Sequence, residues 1–244
     1  MIAKRALGSF LARNPFAHGW TEGLFYREKM RAIHRVAPAQ LPQGARILEI
    51  GGGRSGLAAA LYPEARIVTL EIDPSLATPD DRLRTFVCGD ARALPFGDAE
   101  FDVVTLFDVL EHIEEDHLAA REAMRVTRPG GHVLVSTPRH DWHYPYHGFM
   151  GRFCPPEQSL MDEWGHVRRG YTNDALAELF GRSADSSATF INAGTAFYHD
   201  VAFSRLSPLR RKLLYAIAAV PTAIAYARHK RSTPGTETAF AWQI

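Results

Sequence analysis

Arg46-Ile47-Leu48-Glu49-Ile50-Gly51-Gly52-Gly53-Arg54-Ser55-Gly56 is the stretch whose reading decides the fold. Its first five residues make a short buried strand, three glycines follow at once, and Ser55–Leu61 has helix composition, ended by Pro63. Glycines between a strand and a helix let the chain turn sharply and let a ligand approach the backbone, with the first helix amides pointing at it. Glu71 lies about 20 residues beyond Gly51, at the end of the next strand, where a carboxylate accepts both hydroxyls of a ribose. Gly51-x-Gly53-x-x-Gly56 also satisfies the dinucleotide fingerprint, so the turn by itself fits a nicotinamide dinucleotide or another nucleoside ligand. A plain glycine turn without a ligand is a third reading, weakened by Glu71.

Working outward, Arg66–Ile72, Arg84–Cys88, Phe101–Phe107 and His132–Thr137 read as further strands, and Glu114–Thr127 as a helix closed by Arg128-Pro129-Gly130-Gly131. Strands that are nearly continuous in apolar residues and alternate with helices predict a parallel sheet covered on both faces. Residues 20–37 predict a helix stopped by Pro38 and Pro42, within an N-terminal helical extension over 1–45. Thr172–Phe180 predicts a helix with Thr172 as N-cap and Gly181 beyond its end. Ser187–Tyr198 reads as a strand, Leu206–Lys230 as a helical insertion broken by Pro221, and Glu237–Ile244 as the last strand.

The 244 residues suit one domain, and 46% apolar with 23% charged residues excludes a disordered or fibrous chain. Lys and Arg number 28 against 27 acids, a net charge of +1, which speaks against a nucleic-acid partner. Cys88 and Cys154 suit a reducing compartment, and the amino terminus lacks the apolar run of a signal peptide, so the expected location is cytoplasmic.

Five pieces in order, RILEIGGGRSG, VTLEIDPS, CGDARALPFGDAEFDVV, FDVLEHI and RVTRPGGHVLVSTP, resemble the class I S-adenosylmethionine-dependent methyltransferases, in particular the small-molecule branch. The resemblance runs in close order from Arg46 to Thr137 and more loosely to Gly181. It implies a single α/β domain over 1–244: a Rossmann-like, mostly parallel seven-stranded sheet with helices on both faces and the last strand antiparallel. It further implies S-adenosylmethionine as cofactor. Glu49 would sit beneath the turn and serve the methionine amino group, Gly51 and Gly53 would make room, and Glu71 would hold the ribose. Ile72 would pack on the adenine, Asp90 and the Ala91 amide would meet its amino edge, and Phe107 would line the methionine moiety. One departure is visible: the family's third glycine is Ser55 here, and Gly56 comes one place later.

Eleven histidines are many for this length. His112 and His166 stand in FDVLEHI and in the segment resembling the family's substrate side, which makes them candidate general bases; a helix-capping His112 is the plain alternative. Arg168 and Arg169 flank His166 and would meet an anionic acceptor group. His140, Asp141, His143 and His147 are potential metal ligands, but no helical HExxH spacing occurs, and no metal is expected. The segment 138–170 is instead expected to be a loop on the acceptor side. The expected reaction is methyl transfer by in-line displacement to a small-molecule or lipid-linked acceptor, at oxygen. An NAD(P)-dependent oxidoreductase and a non-catalytic cofactor-binding regulator are the alternatives. Basic residues flank the apolar middle of 206–231, which suggests contact with a membrane surface, against the alternative that the segment covers the sheet or a neighbouring subunit.

Overall fold

The computed structural model describes residues 1–16, 21, 23–53, 55–77 and 80–244. The start of the expected helix at 20–37 and Arg54 of the glycine turn lie outside the described residues.

Seven strands form one sheet: β1 (Arg46–Ile50), β2 (Arg66–Glu71), β3 (Arg84–Cys88), β4 (Phe101–Phe107), β5 (Thr127–Pro138), β6 (Ser186–Phe190) and β7 (Glu237–Gln243), in the order β3-β2-β1-β4-β5-β7-β6. The first five pair in parallel, and β7 pairs antiparallel with both β5 and β6. The chain leaves β1 on one side for β2 and β3 and returns to its other side for β4. The carboxyl ends of β1 and β4 therefore flank a topological switch point, where open α/β sheets bind ligands.

Alternation along the strands builds two cores. Ile47 and Val103 face α2 (Gly23–Val36) and α3 (Leu57–Leu61), whereas Leu48 and Val104 face α4 (Asp116–Val126) and α6 (Asn173–Leu179). A third apolar cluster lies outside the sheet. It joins Trp142, Tyr144, Leu160 and Met161 to Tyr198 and Val201 of α7 (Ala193–Ala202) and Tyr215 of α8 (Pro208–Arg228). The segment 138–170 is thus a packed cap with its own helix, α5 (Glu157–Trp164), rather than a loop.

Two expectations fail for identifiable reasons. The strand expected over 187–198 stops at Phe190 because Asn192 caps α7: its Oδ1 accepts from the amides of Gly194 and Thr195 at 2.9 and 3.2 Å. The helix expected to break at Pro221 runs unbroken through it. Pro221 faces solvent, where water can serve the carbonyl that the missing N–H leaves over. The Thr172 cap is as expected and accepts from the Ala175 amide at 2.9 Å, whereas β5 begins at Thr127 and not at His132, taking in Arg128-Pro129-Gly130-Gly131. A short helix at Leu7–Leu11, designated α1, lies within the expected N-terminal helical extension.

Asn192 also donates to the Ala225 carbonyl at 3.1 Å and pairs with His229 Nδ1 at 3.0 Å, tying α7 to the end of α8. Asn192→Ala should therefore lower the unfolding free energy by about 2–4 kcal/mol, a cap plus buried hydrogen bonds, whereas Asn192→Ser should cost less by keeping the cap oxygen. Urea titration of the two variants checks the ranking.

Candidate functional site

At the switch point the residues just beyond four strand ends enclose a cleft of about 380 Å³, among them Gly51, Glu71, Ile72, Asp90, Ala91 and Val109. Gly51 has φ +66°, and a Cβ there would stand 2.4 Å from a Val109 methyl. The close approach of turn and β4 end requires glycine, so Gly51→Leu would disturb the fold as well as any ligand. Ser55 and Gly56 show how the sequence departure is accommodated: the Ser55 hydroxyl donates to the Gly52 carbonyl at 2.8 Å, and α3 starts one residue later, with Gly56 as its N-cap.

Glu49 is buried beneath the turn. Its Oε1 accepts from the Ala58 amide at 2.8 Å, and its Oε2 has no partner among the described residues. Burial, reinforced by the charge of Glu71, pushes its carboxyl up to about 7. Glu71 accepts from the Gly53 amide and is raised by burial. Ile72 is 71% exposed on the cleft wall, an apolar side chain with nothing over it. Asp90 accepts from the Arg92 amide at 2.8 Å and pairs with the Arg92 guanidinium at 2.7 Å; these bonds hold its carboxyl below the usual range. Asp90 is therefore a turn former as well as a cleft residue.

Phe107 does not line this cleft. Strand alternation turns it into the core beside α2 and α3, and Asp108, with φ +55°, redirects the chain so that Val109 reaches the cleft instead.

A second cleft of about 240 Å³ adjoins the first, and His112 lines both. Its walls are aromatic: Phe25, Tyr26, Trp142, Trp164 and Phe203. Its polar groups are Lys29, Asp108, Glu111, Glu237, His166 and His199. Lys29 Nζ meets Asp108 Oδ2 at 2.5 Å, and the Ser136 hydroxyl donates to Asp108 Oδ1 at 2.7 Å. Burial, the largest single effect, lowers Lys29; the charge and hydrogen bond of Asp108 together with Tyr26 and Glu237 outweigh it, and the net shift is upward. Glu111 and Glu237 are both raised, by burial first and by the Asp108 charge second. His166 is pushed down to about 4 by burial and by His112, whose ring stands 4.7 Å away, edge to face. A histidine so placed is neutral at pH 7, which leaves the raised carboxyls as the groups poised to exchange protons there.

The structure sets the rings of His112 and His166, two separate candidates in the sequence, against each other at the junction of the clefts. Lys29, Asp108, Glu111, Glu237 and the tryptophans join them there without a local motif to mark them. A signal existed for Glu237 alone: an antiparallel last strand must begin at the edge where the parallel strands end. Arg168 and Arg169 are otherwise engaged than expected. Arg168 donates to the carbonyls of Leu110, Ile113 and Glu114 and pairs with Asp116, while Arg169 pairs with Glu157. His147 pairs with the buried Asp200 at 2.7 Å, away from either cleft.

Glu49 holds its proton more tightly folded than unfolded, where its pKa is the ordinary 4.5. Its contribution to stability is therefore greatest in acid and falls as pH rises from 4.5 through about 7. Glu49→Gln should match the parent near about pH 5 and exceed it near about pH 9. Thermal melts at the two pH values check this.

Residues 48–135 match the methyltransferase domain family. The chain is 30% identical over 184 residues to the 2-methyl-6-phytyl-1,4-hydroquinone methyltransferase of Synechocystis sp., covering 70% of this chain and 55% of that protein. It is 32% identical over 176 residues to the ubiquinone/menaquinone biosynthesis C-methyltransferase UbiE of Xanthomonas campestris, covering 63% and 62%. The chain thus spans less than two thirds of the length of either relative. The S-adenosylmethionine dependent methyltransferase from Mesorhizobium loti superimposes with a TM-score of 0.54 at 15% identity, over 88% of this chain and 96% of that one. The domain match places residues 48–135 in the methyltransferase domain family, and the likeness to the Mesorhizobium protein is one of fold.

Proposed function

We propose that the protein methylates a prenylated hydroquinone or a similar hydroxylated aromatic ring, using S-adenosylmethionine. The observation that carries this reading is the junction of two clefts at His112, one built for a nucleoside and the other aromatic-walled with buried proton-accepting carboxyls. The residues present fit the cofactor: an unpartnered Glu49 oxygen under the turn, a glycine where a Cβ would clash, a carboxylate at the end of β2 and an uncovered apolar Ile72. Glu49 would receive the amino group, Glu71 the ribose, Ile72 and Ala91 the adenine, and Asp90 its amino edge. Bound there, the cofactor supplies an activated methyl group.

The chain's own work is orientation, water exclusion and proton removal. Trp142, Trp164 and Phe25 wall the cleft that would take a flat ring, and Glu237 takes the proton of a ring hydroxyl. Deprotonation makes both the oxygen and the ring carbon beside it nucleophilic. The Xanthomonas relative is named a C-methyltransferase. The acceptor position is accordingly assigned to the deprotonated ring, and no longer to oxygen alone.

An apolar prenyl tail suits the outer face of α8. Leu209, Leu213, Ile217, Val220 and Ile224 are 46–78% exposed, and at 3.6 residues per turn they fall within about 80° of one another. Arg210, Lys212 and Arg228 are exposed on either side of the stripe. Such a helix suits the surface of an anionic bilayer. No helix among the described residues is long and apolar enough to cross a membrane.

Glu71→Ala should weaken S-adenosylmethionine by about 10–100-fold in calorimetry, the value of charge-assisted hydrogen bonds, without lowering the melting temperature. With a short-chain 1,4-hydroquinone as acceptor, Glu237→Gln should cut kcat by about 10²–10⁴-fold at unchanged KM, the usual yield of a general base. Absence of methyl transfer to any hydroquinone by the parent would overturn the acceptor, and unchanged affinity in Glu71→Ala would overturn the cofactor site. For the surface, the intact chain should sediment with anionic vesicles at low salt. Replacing Leu213, Ile217 and Val220 by Ser should abolish it; a parent that stays in the supernatant would remove the membrane from the reading.

A further inference from the structure

We infer that Glu111, His112 and His166 form a binding site for a divalent transition-metal ion of the zinc class, set in the wall between the two clefts. One ligating atom from each of the three lies within 4.8 Å of the others. Two imidazoles and a carboxylate are a donor set that suits zinc or iron(II) and leaves further positions for a substrate oxygen or water.

Three independent features support it. Glu111 is fully buried, and its Oε1 has no hydrogen-bond partner; His166 Nδ1 is likewise enclosed and without one, among the described residues. Two unpartnered polar atoms on residues of one such cluster need an explanation, since each costs free energy when left alone. A cation answers for both.

The remaining donors are oriented as metal ligands commonly are. His112 Nδ1 stands 3.2 Å from the Gly165 carbonyl, which fixes the proton on that nitrogen and leaves the lone pair on Nε2. Thr137 Oγ1 stands 3.4 Å from Glu111 Oε2. Outer partners of this kind set ring tautomer and carboxylate direction.

The two ligand-bearing segments are also laced together without any ion. The Val167 amide donates to the Glu111 carbonyl at 2.9 Å, and the Arg168 guanidinium bonds the carbonyls of Leu110, Ile113 and Glu114. The donors are held near one another in advance, so the ion does not have to assemble them. His140, Asp141, His143 and His147, the potential ligands that the sequence groups together, form no metal-ligating cluster among the described residues. The productive histidines are far apart in the chain and adjacent only in space.

Binding of the ion stands apart from the proposed reaction. Its role, which does rest on that reading, is to hold the acceptor's hydroxyl oxygen and ease loss of its proton to a neighbouring carboxyl.

The test is calorimetry of the metal-stripped full chain with Zn²⁺, and Co²⁺ absorption as a report on coordination. One stoichiometric site is expected. Glu111→Gln and His166→Ala should each weaken it by more than about 100-fold, beyond the loss typical of an orienting partner, and should abolish the Co²⁺ bands. A His140→Ala/His143→Ala double variant should bind as the parent does. A parent without a stoichiometric site, affinity that survives Glu111→Gln, or affinity lost in the double variant would each overturn the site. If His166→Ala does not fold, the nearly isosteric Glu111→Gln decides. Intact Zn²⁺ and S-adenosylmethionine binding with no hydroquinone turnover would overturn the acceptor reading and leave the metal site standing.

Discussion

The contact between Lys29 and Asp108 is the constraint around which the site is organised. It joins α2, from the N-terminal segment, to the first residue beyond β4, and it places a cation among carboxyls that burial would otherwise force to stay protonated. Its charge lowers the proton affinity of Glu49, Glu111 and Glu237, against the larger upward effect of their burial. Removing Asp108 would leave Lys29 buried without its ion-pair partner, which costs far more than the pair contributes when intact.

Around that pair the sheet and the cap divide the labour. The switch point between β1 and β4 gives backbone turns and strand-end carboxylates, the means of holding a nucleoside. The aromatic cap built on 138–170 and α7 supplies Trp142, Trp164 and His199 to the wall of the second cleft. His112 stands where the two meet, held by the Gly165 carbonyl, and Arg168 fastens the same two segments with bonds to three carbonyls.

What the sequence could and could not disclose follows from the range over which each signal acts. The glycine turn, Glu71 and the strands up to β5 are local patterns of apolar runs and turn residues, and they were legible. Asn192 was missed because Thr189, Phe190 and Ile191 continue a strand pattern, and a single capping side chain overrides it. Pro221 misled because its cost depends on whether the freed carbonyl meets water, which only the packing of α8 decides. Val109, two residues on, takes the place expected for Phe107, since the left-handed turn at Asp108 is a tertiary event. Lys29 and Glu237 come from opposite ends of the chain, and no local spacing could bring them together.

Pro221 has one more effect. The carbonyl of Ile217, four residues before it, lacks its helical donor, and Ile217 lies on the apolar outer stripe of α8. In hydrocarbon that oxygen would be left dry at a cost of several kcal/mol. If α8 meets a bilayer as proposed, that oxygen would set a depth limit: among headgroups water would still reach Ile217, and deeper it would not. The same imino acid that fails to break the helix would then keep the enzyme's clefts at the level of the bilayer surface.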